Sequence, residues 1–241
     1  MTDDELAAHL AGEAGRLLLD IQQGGQFEGQ ELGDEGDRVA NNYLCAALRA
    51  ARPDDALLSE EEKDCLSRCS VSRVWIVDPL DGTREYREGR DDWAVHVALA
   101  VDGIPTAGAV ALPGMGITLS SASPPALSAL NDPLKMLVSR TRPAAEAVAV
   151  AEKLGAELLP MGSAGAKAMA VVRGEADIYL HTGGQYEWDN CAPIAVAQAA
   201  GLHCSRIDGS PVRYNNPNPY LPDLLICRTE LVPAIMAVLA A

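Results

Sequence analysis

The sequence predicts a mixed α/β protein of layered sheets and helices. Three observations carry this. From residue 135 onward, short apolar strand-like runs alternate with helical segments. Two apolar runs, Leu57-Leu58 and Val74-Trp75-Ile76-Val77, end in carboxylates, as buried strands do when they deliver polar groups to a site. Asp102-Gly103 separates two alternating stretches and marks a hairpin.

In chain order, Thr2-Asp3-Asp4-Glu5 is a capping box that opens an amphipathic helix to about residue 21, with Leu6, Leu10, Leu17 and Ile21 on its apolar side. Residues 22–36 are rich in Gly and Gln and lack a hydrophobic period, which predicts a mobile loop. A second helix is expected over 37–51, ending before Pro53, followed by a strand that delivers Glu60-Glu61-Glu62. The strand at 74–77 leads into a Gly82-Thr83 step able to open a helix, and the hairpin arms span 93–101 and 106–112. Pro124-Pro125 and Asn131-Asp132-Pro133 bracket a lobe boundary, giving one domain with a metal-binding lobe over 1–130 and a substrate lobe over 131–241. Beyond it come a strand at 135–138, a helix at 143–154, a strand at 157–159, a helix at 164–173 and a strand at 177–180. A helix follows Asp189, apolar over 194–200, then a strand at 224–227 and a final helix.

Composition narrows the function. A chain of 241 residues can bury a substantial core, and 48% hydrophobic residues fit a globular protein. A net charge of −15 argues against binding a nucleic acid polymer, which requires a basic surface to displace counterions. A small phosphorylated substrate stays compatible, because a bound divalent cation reverses the local field. No run approaches the roughly 18 apolar residues of a membrane span, and the start is acidic where an export signal is basic, so a cytoplasmic location without membrane attachment is expected. The six cysteines form no C-x-x-C pair and read as reduced thiols, and the four histidines lack zinc-ligand spacing. His96, among apolar neighbours, reads as structural.

The segment Asp78-Pro79-Leu80-Asp81-Gly82-Thr83 carries the chemistry. Two carboxylates three residues apart, with the Leu80 carbonyl between them, offer hard oxygen ligands suited to Mg²⁺. Gly82 permits close backbone approach, and the following N–H groups favour an anion. The same residues are all turn formers, so a plain turn is the competing reading. Two further acidic sites accompany it: Ser59-Glu60-Glu61-Glu62, and Tyr186-Glu187-Trp188-Asp189-Asn190-Cys191-Ala192-Pro193, where Asp189 also reads as a cap for the helix behind it.

Together these three sites resemble the inositol monophosphatase superfamily, whose pattern is Glu-Glu, then Asp-Pro-[Ile/Leu]-Asp-Gly-Thr, then Trp-Asp. Gly162-Ser163-Ala164-Gly165-Ala166-Lys167 and the Trp-Asp-x-x-Ala-Pro segment are most similar to the 3′(2′),5′-bisphosphate nucleotidase branch, the CysQ type. Gly89-Arg90-Asp91-Asp92-Trp93-Ala94-Val95-His96 and Asp208-Gly209-Ser210-Pro211 resemble its actinobacterial members. Haloacid-dehalogenase phosphatases share Asp-Gly-Thr after a strand, but the position of their nucleophilic Asp is Pro79 here, so a phosphoenzyme is not expected.

The resemblance implies the layered α/β/α/β/α sugar-phosphatase fold, with two or three Mg²⁺ at the junction of two lobes and inhibition by Li⁺. Glu60, Asp78 and the Leu80 carbonyl would bind one ion; Asp78, Asp81 and Asp189 a second. Thr83, paired with Asp37, would activate the water, with Glu60 also catalytic. Asp34 stands where the family pattern has Thr, and Asp37 reads alternatively as an N-cap. The substrate would meet Glu60, Leu80, Asp81, Gly82, Thr83 and Asp189, with Gly162 and Ser163 offering backbone N–H groups. A second phosphate would lie against Lys167, Ser139 and Arg140; an exposed lysine and a plain polar loop are the alternatives. The implied reaction converts adenosine 3′,5′-bisphosphate to AMP and phosphate, and the sulfated nucleotide to adenylyl sulfate, in sulfate assimilation. Inositol-1-phosphate or fructose 1,6-bisphosphate hydrolysis and a catalytically silent nucleotide-binding regulator are the alternatives. Homodimers are frequent in the family.

Overall fold

The computed structural model describes residues 1–240. Helices α1 (Asp3–Gly24) and α2 (Gly29–Ala51) precede a first sheet of β1 (Ala56–Ser59), β2 (Arg73–Asp81), β3 (Ala94–Val101), β4 (Ile104–Leu112) and β5 (Ile117–Ser120), with a short α3 (Thr83–Arg87) after β2. The second half comprises β6 (Lys135–Ser139), α4 (Ala145–Leu154), β7 (Glu157–Met161), α5 (Ala164–Val172), β8 (Ile178–Tyr186), α6 (Glu187–Ala199), β9 (His203–Ser205), β10 (Tyr220–Cys227) and α7 (Val232–Leu239). The first sheet runs β1-β2-β3-β4-β5, with only the β1–β2 pair parallel. The second runs β7-β6-β8-β10-β9, with β6 parallel to β7 and β8.

Strand alternation sorts the apolar residues into three cores. Trp75 and Val77 of β2 join Val95, Val97 and Leu99 of β3 against α1 and α2. Their neighbours Val74, Ile76, Ala98 and Ala100 face the other way, onto α5, α6 and the second sheet's Leu137, Tyr179, Leu224 and Ile226. Met136, Val138, Ile178, Leu180, Leu225 and Cys227 turn outward onto α4 and α7. The layers are therefore α1α2, sheet, α5α6, sheet, α4α7, the expected α/β/α/β/α order. Each such aliphatic side chain contributes roughly 1.5–3 kcal/mol on burial.

Local signals mostly hold. The capping box on α1 forms, Thr2 accepting from the Glu5 N–H and Glu5 from the Thr2 N–H. Asp102 and Gly103 both have positive φ, 51° and 75°, as a tight hairpin turn requires. All six cysteines are free.

The expected loop over 22–36 is a correction. Helix α2 begins at Gly29, and its glycines are packing devices. A Cβ on Gly33 would lie 2.8 Å from side-chain atoms of both Arg87 and Thr83, and one on Gly36 would lie 3.1–3.2 Å from Leu18, Tyr86 and Leu80. Close approach to α3 and α1 demands bare backbone there, and tertiary packing outweighs the poor helix propensity of Gly. Asp37 consequently sits inside the helix and caps nothing. Likewise α6 starts at Glu187, before Asp189, and β8 extends to Tyr186; β5 and β9 were not foreseen.

Candidate active site

Strand β2 is anchored between β1 and β3, so the carboxylates at its end are rigidly presented. Asp78 pairs in register with His96 of β3, and the register then slips before Asp81 meets Ala94, which turns both acids toward the first turn of α6. Oxygens of Asp78, Asp81 and Asp189 lie within 4.8 Å of one another. Glu60 follows β1, its backbone N–H donating to the Val77 carbonyl at 3.3 Å, and its carboxyl reaches that of Asp78. The Glu60 side chain is open to solvent at the mouth of the site yet walled by protein.

The electrostatics describe a place that lacks positive charge. Burial, then Glu60, Asp81 and Asp189, push Asp78 well above the usual carboxylate range. Desolvation and Asp189 bring Glu60 to about 7, and desolvation and Asp81 bring Asp189 to about 6. Asp78 is 1% exposed and, among the described residues, receives one hydrogen bond, from the Leu80 N–H at 3.1 Å. A buried carboxylate so poorly satisfied, beside three others, fits the donor set of a hard divalent cation.

Asp81 behaves differently. Its oxygens accept from the N–H groups of Ala164, 3.2 Å, and Gly165, 2.7 Å, and from the Ser163 hydroxyl, all at the start of α5. The His96 Nε2 lies 3.2 Å away, an ion-pair contact without hydrogen-bond alignment. Burial alone would push Asp81 upward, but His96, Ser163 and the Gly165 N–H hold it down at about 2. The first turn of α6 is fixed in turn: Asp189 accepts from the Tyr186 N–H at 2.5 Å, and buried Glu187 accepts from the N–H groups of Asn215 and Asn216 at 2.7 and 2.8 Å.

Thr83 begins α3 after Gly82, whose φ of 89° needs glycine. Its hydroxyl donates to the Leu80 carbonyl at 3.1 Å and not to Asp37. Asp37 lies one turn beyond Gly33, which touches Thr83, so both occupy one face of α2. Desolvation, then Glu61 and Asp34, push the Asp37 carboxyl up to about 7.

Two of the residues expected at a second phosphate, Lys167 and Arg140, are engaged within the protein. Lys167 is 6% exposed: its Nζ donates to the Gly162 carbonyl at 3.1 Å and to the Ser163 carbonyl, over the Tyr179 ring. Its ammonium thus ties down the two carbonyls of the turn before α5. The N–H groups of this turn are spent on protein carboxylates, Gly162 on Asp92 at 2.7 Å and Gly165 on Asp81. Arg140 bridges Glu85 and Glu88 at 2.7 and 2.9 Å. Ser139 instead lines a cleft of about 210 Å³ with Arg142, His181, Thr182, Gly183 and Gly184. Among the described residues the Arg142 guanidinium has no partner.

A model of the inositol monophosphatase family matches residues 4–237. The chain belongs to this metal-dependent family. It is 48% identical to the 3′-phosphoadenosine 5′-phosphate phosphatase of Mycobacterium leprae over 254 aligned residues, covering 99% of this chain and 94% of that protein. It is 50% identical to the phosphatase of the same name from Mycobacterium tuberculosis, covering 95% and 90%. The crystal structure of CysQ from Bacteroides thetaiotaomicron superposes with a TM-score of 0.78 at 24% identity, covering 92% of this chain and 96% of that one. The segments bearing Glu60, Asp78-Pro79-Leu80-Asp81 and Trp188-Asp189 come together in the fold.

Sequence reasoning read His96 as structural without its partners and passed over Arg142 for Arg140. His96 is fully buried, with Nδ1 3.0 Å from the Trp188 carbonyl and Nε2 on Asp81, so it ties two segments bearing site carboxylates together. A polar residue on an otherwise apolar strand was the available signal. Arg142 stood two residues from Arg140, and only the fold separates the paired guanidinium from the free one.

Proposed function

We propose that this chain is a Mg²⁺-dependent phosphatase that removes the 3′-phosphate of adenosine 3′,5′-bisphosphate, giving AMP and phosphate, and that acts on the sulfated nucleotide as well, within sulfur assimilation. The observation that carries the reading is the convergence of Asp78, Asp81 and Asp189 within 4.8 Å, with Glu60 beside Asp78, in a chain half identical to phosphatases of that name.

Glu60, Asp78, Asp81, Asp189 and the Leu80 carbonyl would hold the metal. When bound, Mg²⁺ supplies an activated water and neutralises charge on the phosphoryl and leaving oxygens. The chain's own residues do the rest. Asp37, with a carboxyl near 7, is matched to accept a proton at neutral pH, and Thr83 on the adjoining helix is the group through which it orients the water. For that role the Thr83 hydroxyl turns from the Leu80 carbonyl, to which it donates here, to the Asp37 carboxylate, and its oxygen then accepts from the water. Ser139, Arg142 and His181 provide a polar cleft for the second phosphate, the free guanidinium offering a forked pair.

The test is phosphate release from adenosine 3′,5′-bisphosphate, inositol 1-phosphate and fructose 1,6-bisphosphate in parallel, with Mg²⁺, with EDTA and with added Li⁺. Mg²⁺-dependent preference for the nucleotide is expected. Preference for either other substrate would retain the metal site and overturn the substrate, and no release from any would return the chain to a silent regulator.

A further inference from the structure

A chain with three Trp, six Tyr and one Phe places three of these aromatics together beside Asp189. The rings of Tyr186 and Trp188 are stacked, 4.7 Å apart and 8° from parallel, and Tyr220 meets Tyr186 edge-on at 5.9 Å. Tyr186 and Tyr220 face each other across the β8–β10 ladder, and both are 44% exposed, although large apolar groups normally bury. The arrangement is built. Trp188 is anchored on the central core, and Gly184, with a φ of 94°, leaves room for the Tyr220 ring, since a Cβ there would lie 2.4 Å from its hydroxyl. The Tyr186 N–H bonds directly to Asp189, so the shelf begins where a proposed metal ligand ends. Gly184 also lines the cleft of Arg142 and His181, so shelf and cleft are continuous.

We propose that Tyr186, Trp188 and Tyr220 form the shelf on which the purine of the substrate stacks, and that this shelf sets the preference for nucleotides over base-free phosphate esters. The inference rests on the nucleotide reading above. A 3′-phosphate and its base are separated by one ribose, a span no longer than a tyrosine side chain. A phosphate at the carboxylates therefore brings the base to these rings and the 5′-phosphate toward the Ser139 and Arg142 cleft. Aromatic stacking accepts any base face, and the polar groups along the cleft rim supply orientation.

The experiment compares kcat/KM for adenosine 3′,5′-bisphosphate and for glycerol 2-phosphate in wild type, Tyr186→Leu, Tyr220→Leu and Tyr186→Phe. Loss of one stacking contact is worth about 5- to 150-fold in affinity. The nucleotide-to-glycerol-phosphate ratio is expected to fall by that factor in the two Leu variants, through KM, and to persist in Tyr186→Phe, which keeps the ring. An unchanged ratio in both Leu variants overturns the shelf. Tryptophan fluorescence gives a readout independent of turnover: AMP should quench wild type, and ribose 5-phosphate should not, while Tyr186→Leu should weaken the AMP effect. If wild type prefers base-free esters, the nucleotide reading fails, and the quenching then decides the shelf by itself; absence of quenching overturns it.

Discussion

Gly165→Ala is an informative perturbation, because ordinary helix arithmetic gives it the wrong sign. Replacing Gly by Ala inside a helix normally stabilises by about 1 kcal/mol. At residue 165, however, the new Cβ would lie 2.0 Å from His96 Nε2 and 3.0 Å from two ring carbons. His96 has nowhere to retreat, being fully buried with its other nitrogen held on the Trp188 carbonyl at 3.0 Å. Overpacking a filled interior costs about 1–3 kcal/mol. Displacing the ring also strips Asp81 of a charged neighbour, worth about 1.5–3 kcal/mol for an interaction with a charged group. Subtracting the helix gain leaves a net loss of about 1.5–5 kcal/mol, or a fall in Tm of roughly 3–20 °C for a chain of this size. Thermal and urea unfolding of wild type, Gly165→Ala, His96→Ala and the double variant measure it. With His96 removed, Gly165→Ala should cost almost nothing, giving a coupling of about 2 kcal/mol or more. Equal costs in both backgrounds, or a stabilised Gly165→Ala, would refute the steric account.

Asp81→Asn should fold and lose most turnover, since it removes a ligand charge while keeping the shape; near-normal activity would sink the metal assignment. Mg²⁺ at about 100 times its Kd should stabilise wild type by about 2.7 kcal/mol, because it binds the folded state alone, and thermal scans of Asp81→Asn should show a much smaller shift. Asp37 has a folded pKa of about 7, raised above its unfolded value, so the folded state binds the extra proton and stability falls as pH climbs from about 4 through 7. Asp37→Asn should therefore raise Tm more at pH 8 than at pH 5 while slowing phosphate release; an equal gain at both pH values would falsify that titration.

The carboxylate cluster was legible in the sequence because strand ends and carboxylates are local features. Val74 to Val77 had to be a buried strand, and Asp78 and Asp81 had to stand at its end. What escaped depends on contacts between distant segments. Gly33 and Gly36 carry the same local message as loop glycines, and only α1 and α3 pressing on them makes them helical. Lys167 sits at ordinary helix spacing, and nothing near it announces that the Gly162 and Ser163 carbonyls will bury its ammonium. Arg140 and Arg142 were indistinguishable until Glu85 and Glu88 claimed one of them.

The bonds from Ser163, Ala164 and Gly165 to Asp81 join two properties usually varied separately. Helix α5 belongs to the middle layer between the sheets, and its leading turn closes on a carboxylate from the first sheet. Any change that draws that carboxylate toward the proposed ion loosens its hold on the helix, and any change that tightens the hold withdraws it from that ion. Selection for tighter hold on the proposed cation and selection for a sturdier metal-free scaffold therefore compete at Asp81, and a variant library screened for heat resistance without Mg²⁺ should drift toward weaker metal uptake there.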